Sequence, residues 1–157
     1  MGKTIIGIDS APKGLAIVTL FDSELEGFTF VPKTKNFDET LLNFFNECNT
    51  IAKDNSISNN TVVFIEDVSY VVNVKATLMA AQVLAAVKLA FMSNNIPVFT
   101  VNNMTAKKEI VGDGKADKIK VKKFILANPI FEEIGEKQLE DIYDAAMYAL
   151  WGKLRMG

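Results

Sequence analysis

Two segments constrain this chain more than any others: "TIIGID" at residues 4–9 and "TVVFIE" at residues 61–66. Each is a run of apolar and small residues, without alternation, that ends in a carboxylate. Continuous apolar runs of this length read as strands buried on both faces, the pattern of central strands in a parallel sheet. Such sheets are covered by helices on both sides, and their ligands lie at the carboxyl ends of the strands. Asp9 and Glu66 are therefore expected at one sheet edge, side by side if the two strands are neighbours.

The rest of the chain fits around that pair. "GLAIVTLF" and "FTFVP" read as a second and a third strand, separated by the turn segments "SAPKG" and "FDSELEG". The first three strands form an antiparallel meander. From Asp38 as N-cap, "DETLLNFFNECNTIAKD" repeats apolar residues at helical spacing. A long helix over 75–92 carries alanines at 76, 80, 81, 85, 86 and 90, and "IPVFTV" supplies a fifth strand. "NMTAKKEIV" reads as a short helix, "GDG" as a loop, and "KADKIKVKKFIL" as a helix presenting Lys115, Lys118 and Lys122 on one face. The last helix starts near Gln138. The expected fold is α/β: a five-stranded mixed sheet, three antiparallel strands then parallel ones, flanked by helices with right-handed crossovers. No repeat or linker divides the 157 residues, so one domain is expected over 1–157.

Composition narrows the chemistry. The chain has no histidine and one cysteine, Cys48. This excludes imidazole bases, Ser-His-Asp catalysis, disulfides within the chain and cysteine-rich zinc sites. An enzyme built from these residues works with carboxylates, lysines and hydroxyls, or with a hard metal ion bound by oxygen. We find no apolar run of membrane-spanning length and no charged-then-apolar leader, and expect a soluble, cytoplasmic protein without a membrane partner. The net charge of −2 hides an uneven distribution. Between Lys107 and Lys123 seven lysines face Glu109, Asp113 and Asp117, a balance of +4, whereas from Glu132 to Asp144 six acids face Lys137, a balance of −5. A basic surface for phosphate is thus available on an acidic chain.

Within "EDIYDAAMYAL", Asp141 and Asp144 are three residues apart and share one helix face, where like charges repel. Acids are welcome in a first helical turn, which is a sufficient reason for either one alone. Packed across the edge that carries Asp9 and Glu66, however, this helix completes a set of four carboxylates. Four carboxylates and no imidazole suit magnesium, or manganese in its place. Two such ions roughly 3.5–4 Å apart form an arrangement for in-line phosphodiester cleavage, one activating water and the other stabilising the leaving oxygen.

"TIIGIDSAPKGLAIV", "VVFIEDVSYVVNVKATLMAAQV", "GDGKADKIKVKKFIL" and "LEDIYDAAMYAL" follow the order and spacing of RuvC-type Holliday junction resolvases, and the chain resembles that family over essentially its whole length. The resemblance implies a ribonuclease H-like fold and a divalent-metal-dependent endonuclease acting on four-way junctions, with forks and flaps as related branched substrates. It implies that Asp9, Glu66, Asp141 and Asp144 are the ligands of two ions, and that Lys115 and Lys118 contact DNA, Lys115 near the scissile phosphate. Lys107, Lys108 and Lys122 are expected as further phosphate contacts. The chain also looks like the small lysine-rich resolvases of bacteriophages. It departs from the family at Ser10 and Ala11, where Pro-Gly is usual, and at Ser69, where relatives place an aromatic wedge; Tyr70 is the neighbouring candidate. A homodimer is expected because resolution needs two opposed cuts. The 75–92 helix is its expected surface, with Leu78, Val83, Val87 and Phe91 exceeding what one sheet face covers, and Leu84 and Phe91 taken as outward positions. Two other readings stay open: a different ribonuclease H-like nuclease, or a branched-DNA-binding module without catalysis. An actin-like ATPase is disfavoured, since "GDGKAD" lacks the preceding strand of a second phosphate loop.

Overall fold

The computed structural model describes residues 2–22, 24–54, 60–68, 73–129 and 141–156. Strands β1 (Thr4–Ala11), β2 (Gly14–Phe21), β3 (Glu24–Phe30), β4 (Thr61–Glu66) and β5 (Val98–Val101) form one sheet in the order β3-β2-β1-β4-β5. The first three strands are antiparallel, while β1–β4 and β4–β5 pair in parallel. This is the expected five-stranded mixed sheet, with the two acid-bearing strands adjacent, although β1 runs two residues past Asp9 because Ser10 and Ala11 still pair with β2. Ile8 lies opposite Ile65, so Asp9 and Glu66 follow at the same level.

Side chains alternate across the sheet. Ile6, Ile8, Val63 and Ile65 face a core shared with helices α1 (Phe37–Ala52) and α2 (Val74–Met92). Cys48 lies in that core, and burial, with Glu47 beside it, pushes its thiol up to about 12. On the opposite face, Ile5, Val62 and Phe64 pack against α5 (Asp141–Met156). Gly7, Asp9 and Glu66 fall on this second face by alternation.

Helix α5 lies unusually close to β1 because the sequence leaves out side chains where the two meet. A β-carbon at Gly7 would overlap the Ala145 carbonyl oxygen and lie 2.5 Å from the Ala149 amide nitrogen. At Gly152 a β-carbon would overlap the ring of Phe64. Ala145, Ala146 and Ala149 are fully buried beneath the helix. The depth at which α5 rests, and so the position of its first turn, is set by this contact.

Several boundaries differ from the sequence expectations for local reasons. β3 begins at Glu24, inside the segment expected as a turn; at a sheet edge "ELEG" can pair while its acids remain in water. The β1–β2 connection shrinks to Pro12 and Lys13, since Ala11 pairs with Gly14. Asn36, not Asp38, caps α1 by accepting a hydrogen bond from the Glu39 amide at 3.1 Å. The short helix α3 (Asn103–Ala106) continues into a wider π-helical turn over Lys107–Val111, closed by Gly112 in the left-handed region at φ 89°. Helix α4 (Lys118–Leu126) starts only after Asp117, which caps it, so Lys115 precedes the helix and does not share its face with Lys118 and Lys122.

Helix α2 corrects two expectations. Its Val74–Met92 span is long and apolar enough, by length and composition, to cross a membrane, with a mean hydropathy of 1.5. Its inner residues Val83, Leu84, Val87, Ala90 and Phe91 are nevertheless buried in the domain core, so Leu84 and Phe91 point inward rather than outward. The exposed apolar residues are Val74, Leu78, Leu89 and Met92. The expected start of the last helix near Gln138 lies outside the described residues.

Gly7→Ala is expected to destabilise the protein by about 1–3 kcal/mol, the usual cost of overpacking, because backbone atoms of α5 cannot move aside singly. Gly27→Ala, whose β-carbon would meet the mobile Cδ1 tip of Ile142 at 3.1 Å, should cost clearly less. Urea unfolding of the two variants checks this, and equal stability of Gly7→Ala and wild type would contradict it.

Candidate metal centre

At the carboxyl edge of β1 and β4 the acids converge. Carboxylate oxygens of Asp9, Asp141 and Asp144 lie within 4.8 Å of one another. Glu66 adjoins them through a hydrogen bond with Asp9. Three elements supply the set: β1 gives Asp9, β4 gives Glu66, and the first turn of α5 gives Asp141 and Asp144. The structure thus brings together all four acids singled out in the sequence, three in a tight cluster and Glu66 at its edge.

Their electrostatics differ. Burial pushes the Asp9 carboxyl well above its ordinary range, and Glu66, Asp141 and Asp144 push it further. Glu66 is also raised, chiefly by burial, although hydrogen bonds from Asp9 and Tyr148 oppose the shift. Burial and mutual repulsion therefore disfavour full negative charge on both Asp9 and Glu66, and a cation between them would relieve both. Asp144 is raised by burial against the opposing charges of Lys118 and Lys107. Asp141 is the exception: burial favours its neutral form, but Lys118 and Lys13 outweigh burial and hold it low.

Those two lysines reach the cluster directly. Lys118 Nζ donates to Asp141 Oδ1 at 2.6 Å, and Lys13 Nζ lies 3.3 Å from Asp141 Oδ2. Lys118 is held above its ordinary pKa, first by this hydrogen bond. Ammonium groups on one acid, and neighbouring carboxyls raised by burial and like charge, mark where positive charge is needed. Oxygen-only donors, mutual repulsion and the absence of imidazole fit a hard divalent cation.

The chain matches the family model of crossover junction endodeoxyribonuclease RuvC over residues 5–150. It belongs to the RuvC family. A RuvC crossover junction endodeoxyribonuclease of Citrifermentans bemidjiense is 29% identical over 152 residues, covering 93% of this chain and 89% of that protein. The one from Trichlorobacter lovleyi is 28% identical over 149 residues, covering 91% and 82%. Two solved structures share the fold at 18% identity. Thermus thermophilus RuvC superposes with a TM-score of 0.77, covering 98% of this chain and 96% of its own. The same protein in complex with a Holliday junction substrate gives 0.79, covering 99% and 96%. The ribonuclease H-like architecture expected from the sequence is the architecture found.

The remaining candidates in this RuvC-family chain are dispersed around the acids. Lys107 is half-buried in the π-helical turn, close enough for its charge to act on Asp144, while Lys108 is exposed. Lys115 is exposed in the loop, where its amide donates to Asp113 Oδ1 at 2.9 Å. Lys122 Nζ lies 5.4 Å above the ring of Tyr143. Together with Lys118, Ile119, Lys123 and Leu126 these two line a surface cavity of about 320 Å³. Ser69 and Tyr70 lie outside the described residues. Sequence reasoning missed Lys13, hidden in what read as plain turn chemistry, and it missed Tyr148 and Asn103, whose hydrogen bond joins α5 to α3.

The raised Asp9 has a stability consequence. The folded chain holds this proton more tightly than the unfolded one, so metal-free stability falls as pH rises from the ordinary carboxylate range through the raised value. Asp141 acts in the opposite sense, losing its contribution as pH falls below that range. At neutral pH, Mg²⁺ at a hundredfold excess over its Kd should add about 2.7 kcal/mol, a rise of several degrees in Tm, with a smaller rise at mildly acidic pH. Thermal unfolding with Mg²⁺ and with chelator checks this, and a Tm indifferent to Mg²⁺ at neutral pH would contradict it.

Proposed function

We propose that residues 1–157 form a single nuclease domain that cleaves phosphodiester bonds at four-way DNA junctions, and at forks and flaps, in the cytoplasm. The observation that carries this reading is the convergence of Asp9, Glu66, Asp141 and Asp144 at one sheet edge in a chain of the RuvC family. The T. thermophilus relative in complex with a Holliday junction supports the choice of substrate. In this reading the four carboxylates hold two Mg²⁺ ions, with Mn²⁺ able to replace them. Bound there, the ions would activate a water and neutralise the charge that develops on the cleaved phosphate.

The chain's own groups perform the rest. Lys13 and Lys118, paired with Asp141 in the free protein, lie where a phosphate backbone would enter. Once cations satisfy Asp141, both ammonium groups are free to hold phosphate oxygens. Lys107, Lys108 and Lys122 extend this positive surface, and affinity for DNA should accordingly fall with salt. Lys115, exposed beside Gly114, is the group we assign to the scissile phosphate. Tyr70, four positions after Glu66 in the sequence, is the residue we assign to the bases at the junction centre.

A homodimer completes the proposal, because one site makes one cut and resolution requires two. Val74, Leu78, Leu89 and Met92 supply an exposed apolar stripe along α2 that a second copy would cover. Leu78→Glu with Leu89→Glu should give folded monomers, by sedimentation, that nick junctions without paired incision. Paired incision by a monomer would exclude this arrangement.

Cleavage is tested on four-way junction, linear duplex and RNA–DNA hybrid with Mg²⁺. Junction cutting in preference to the other two is expected. Asp9→Asn, Glu66→Gln, Asp141→Asn and Asp144→Asn should each lower cleavage by more than about 100-fold, beyond the loss typical of an outer-shell partner. Junction binding should persist or tighten, since each change removes negative charge facing phosphate. Near wild-type cleavage by any two of the four would refute the four-carboxylate site, and preferential cutting of the hybrid would favour a different ribonuclease H-like nuclease.

A further inference from the structure

Glu66 is joined to two residues that the proposed cleavage chemistry does not use. The phenol of Tyr148 hydrogen-bonds to the Glu66 carboxylate, and Asn103 Nδ2 donates to the same phenol oxygen at 2.7 Å. An amide NH₂ can only donate, so Asn103 occupies a lone pair of the phenol and leaves its single hydrogen for Glu66. The direction of both hydrogen bonds is therefore fixed.

Three separate elements fix the positions. Glu66 ends β4, Tyr148 lies one turn beyond Asp144 on α5, and Asn103 opens α3 directly after β5. Asn102 caps α3 by accepting from the Thr105 amide at 3.1 Å, which holds the backbone before Asn103. The Tyr148 side chain is fully buried among Ala145, Ala149 and their apolar neighbours. Phenylalanine would fill that space without burying a hydroxyl that has to be satisfied. A buried hydroxyl aimed at one of four converging carboxylates points to a role beyond packing. Glutamate also has one more rotatable bond than aspartate, so Glu66 has more freedom to lose than Asp9, Asp141 or Asp144.

We propose that Asn103 and Tyr148 form a positioning relay that fixes one carboxylate oxygen of Glu66 and so directs the other toward Asp9 and the cation between them. Tyr148 is a positioning residue and touches no reacting atom. The inference rests on reading the acidic cluster as a metal centre, and deepens it by naming what aims its most flexible ligand. Outer-shell partners of metal ligands typically change affinity by about 10–100-fold when lost.

The test is calorimetric titration of the full, DNA-free chain with Mn²⁺, together with thermal unfolding in chelator. Tyr148→Phe should weaken Mn²⁺ binding at least tenfold while Tm in chelator changes little. Asn103→Ala should weaken it less, because the phenol hydrogen is freed rather than removed. The double variant should be no weaker than Tyr148→Phe alone, since both changes break one chain of hydrogen bonds. Wild-type affinity in folded Tyr148→Phe, or losses that simply add, overturns the relay alone. A wild-type protein that binds no Mn²⁺ overturns the metal centre and the relay with it. Should Tyr148→Phe not fold, Asn103→Ala decides by itself: a several-fold loss supports the relay, and unchanged affinity overturns it.

Discussion

Everything at the acidic edge depends on how closely one helix can approach one strand. Gly7 has no side chain, and the α5 backbone at Ala145 and Ala149 occupies the space that one would fill. Gly152 repeats the device against Phe64 farther along the helix. With those contacts made, the first turn of α5 comes level with Asp9 near the carboxyl end of β1, where Asp141 and Asp144 meet it. A helix resting on larger residues would stand off the sheet and hold its acids away from Asp9. Packing at the middle of the helix thus determines charge geometry at its start.

That geometry is unfavourable by itself and is offset in three ways. A hydrogen bond joins Asp9 to Glu66, ammonium groups from Lys13 and Lys118 neutralise Asp141, and Tyr148 donates to Glu66. None of these partners is deep in the core except Tyr148. Lys13 and Lys118 have long, largely exposed stems, so they can leave without disturbing the fold. Stability and site chemistry therefore pull in opposite directions across the same few residues, as is common where charges are gathered for function. The π-helical turn at Lys107–Val111 lies in the same neighbourhood, and such turns often accompany functional sites.

Much of this was legible in the amino-acid sequence, for identifiable reasons. β1, β2 and β4 are continuous apolar runs, and period alone distinguishes them from surface strands. Asp9 and Glu66 are visible as a pair because parallel neighbours place them level, although β1 continues two residues past Asp9. β3 was harder, since its glutamates and Gly27 look like turn residues until an edge position lets them face water. The start of α4 was misplaced because Asp117, not the preceding glycine loop, supplies the cap. Alanines spread around α2 hide which side is inward, so Leu84 and Phe91 were assigned to the wrong face. Lys13, Asn103 and Tyr148 left no sequence signal. Lys13 lies 128 positions from Asp141, and a tyrosine among helical alanines reads as core until its hydroxyl is seen to have partners.

The central claim is that folding alone assembles a divalent-cation site from β1, β4 and α5. Anomalous diffraction from crystals of the protein soaked in Mn²⁺ tests it most directly. The account predicts manganese bound by carboxylate oxygens of Asp9, Asp141 and Asp144, with Glu66 adjoining and the Lys118 ammonium displaced from Asp141. Crystals in which Lys118 remains on Asp141, with no manganese among these acids at saturating concentration, would contradict it.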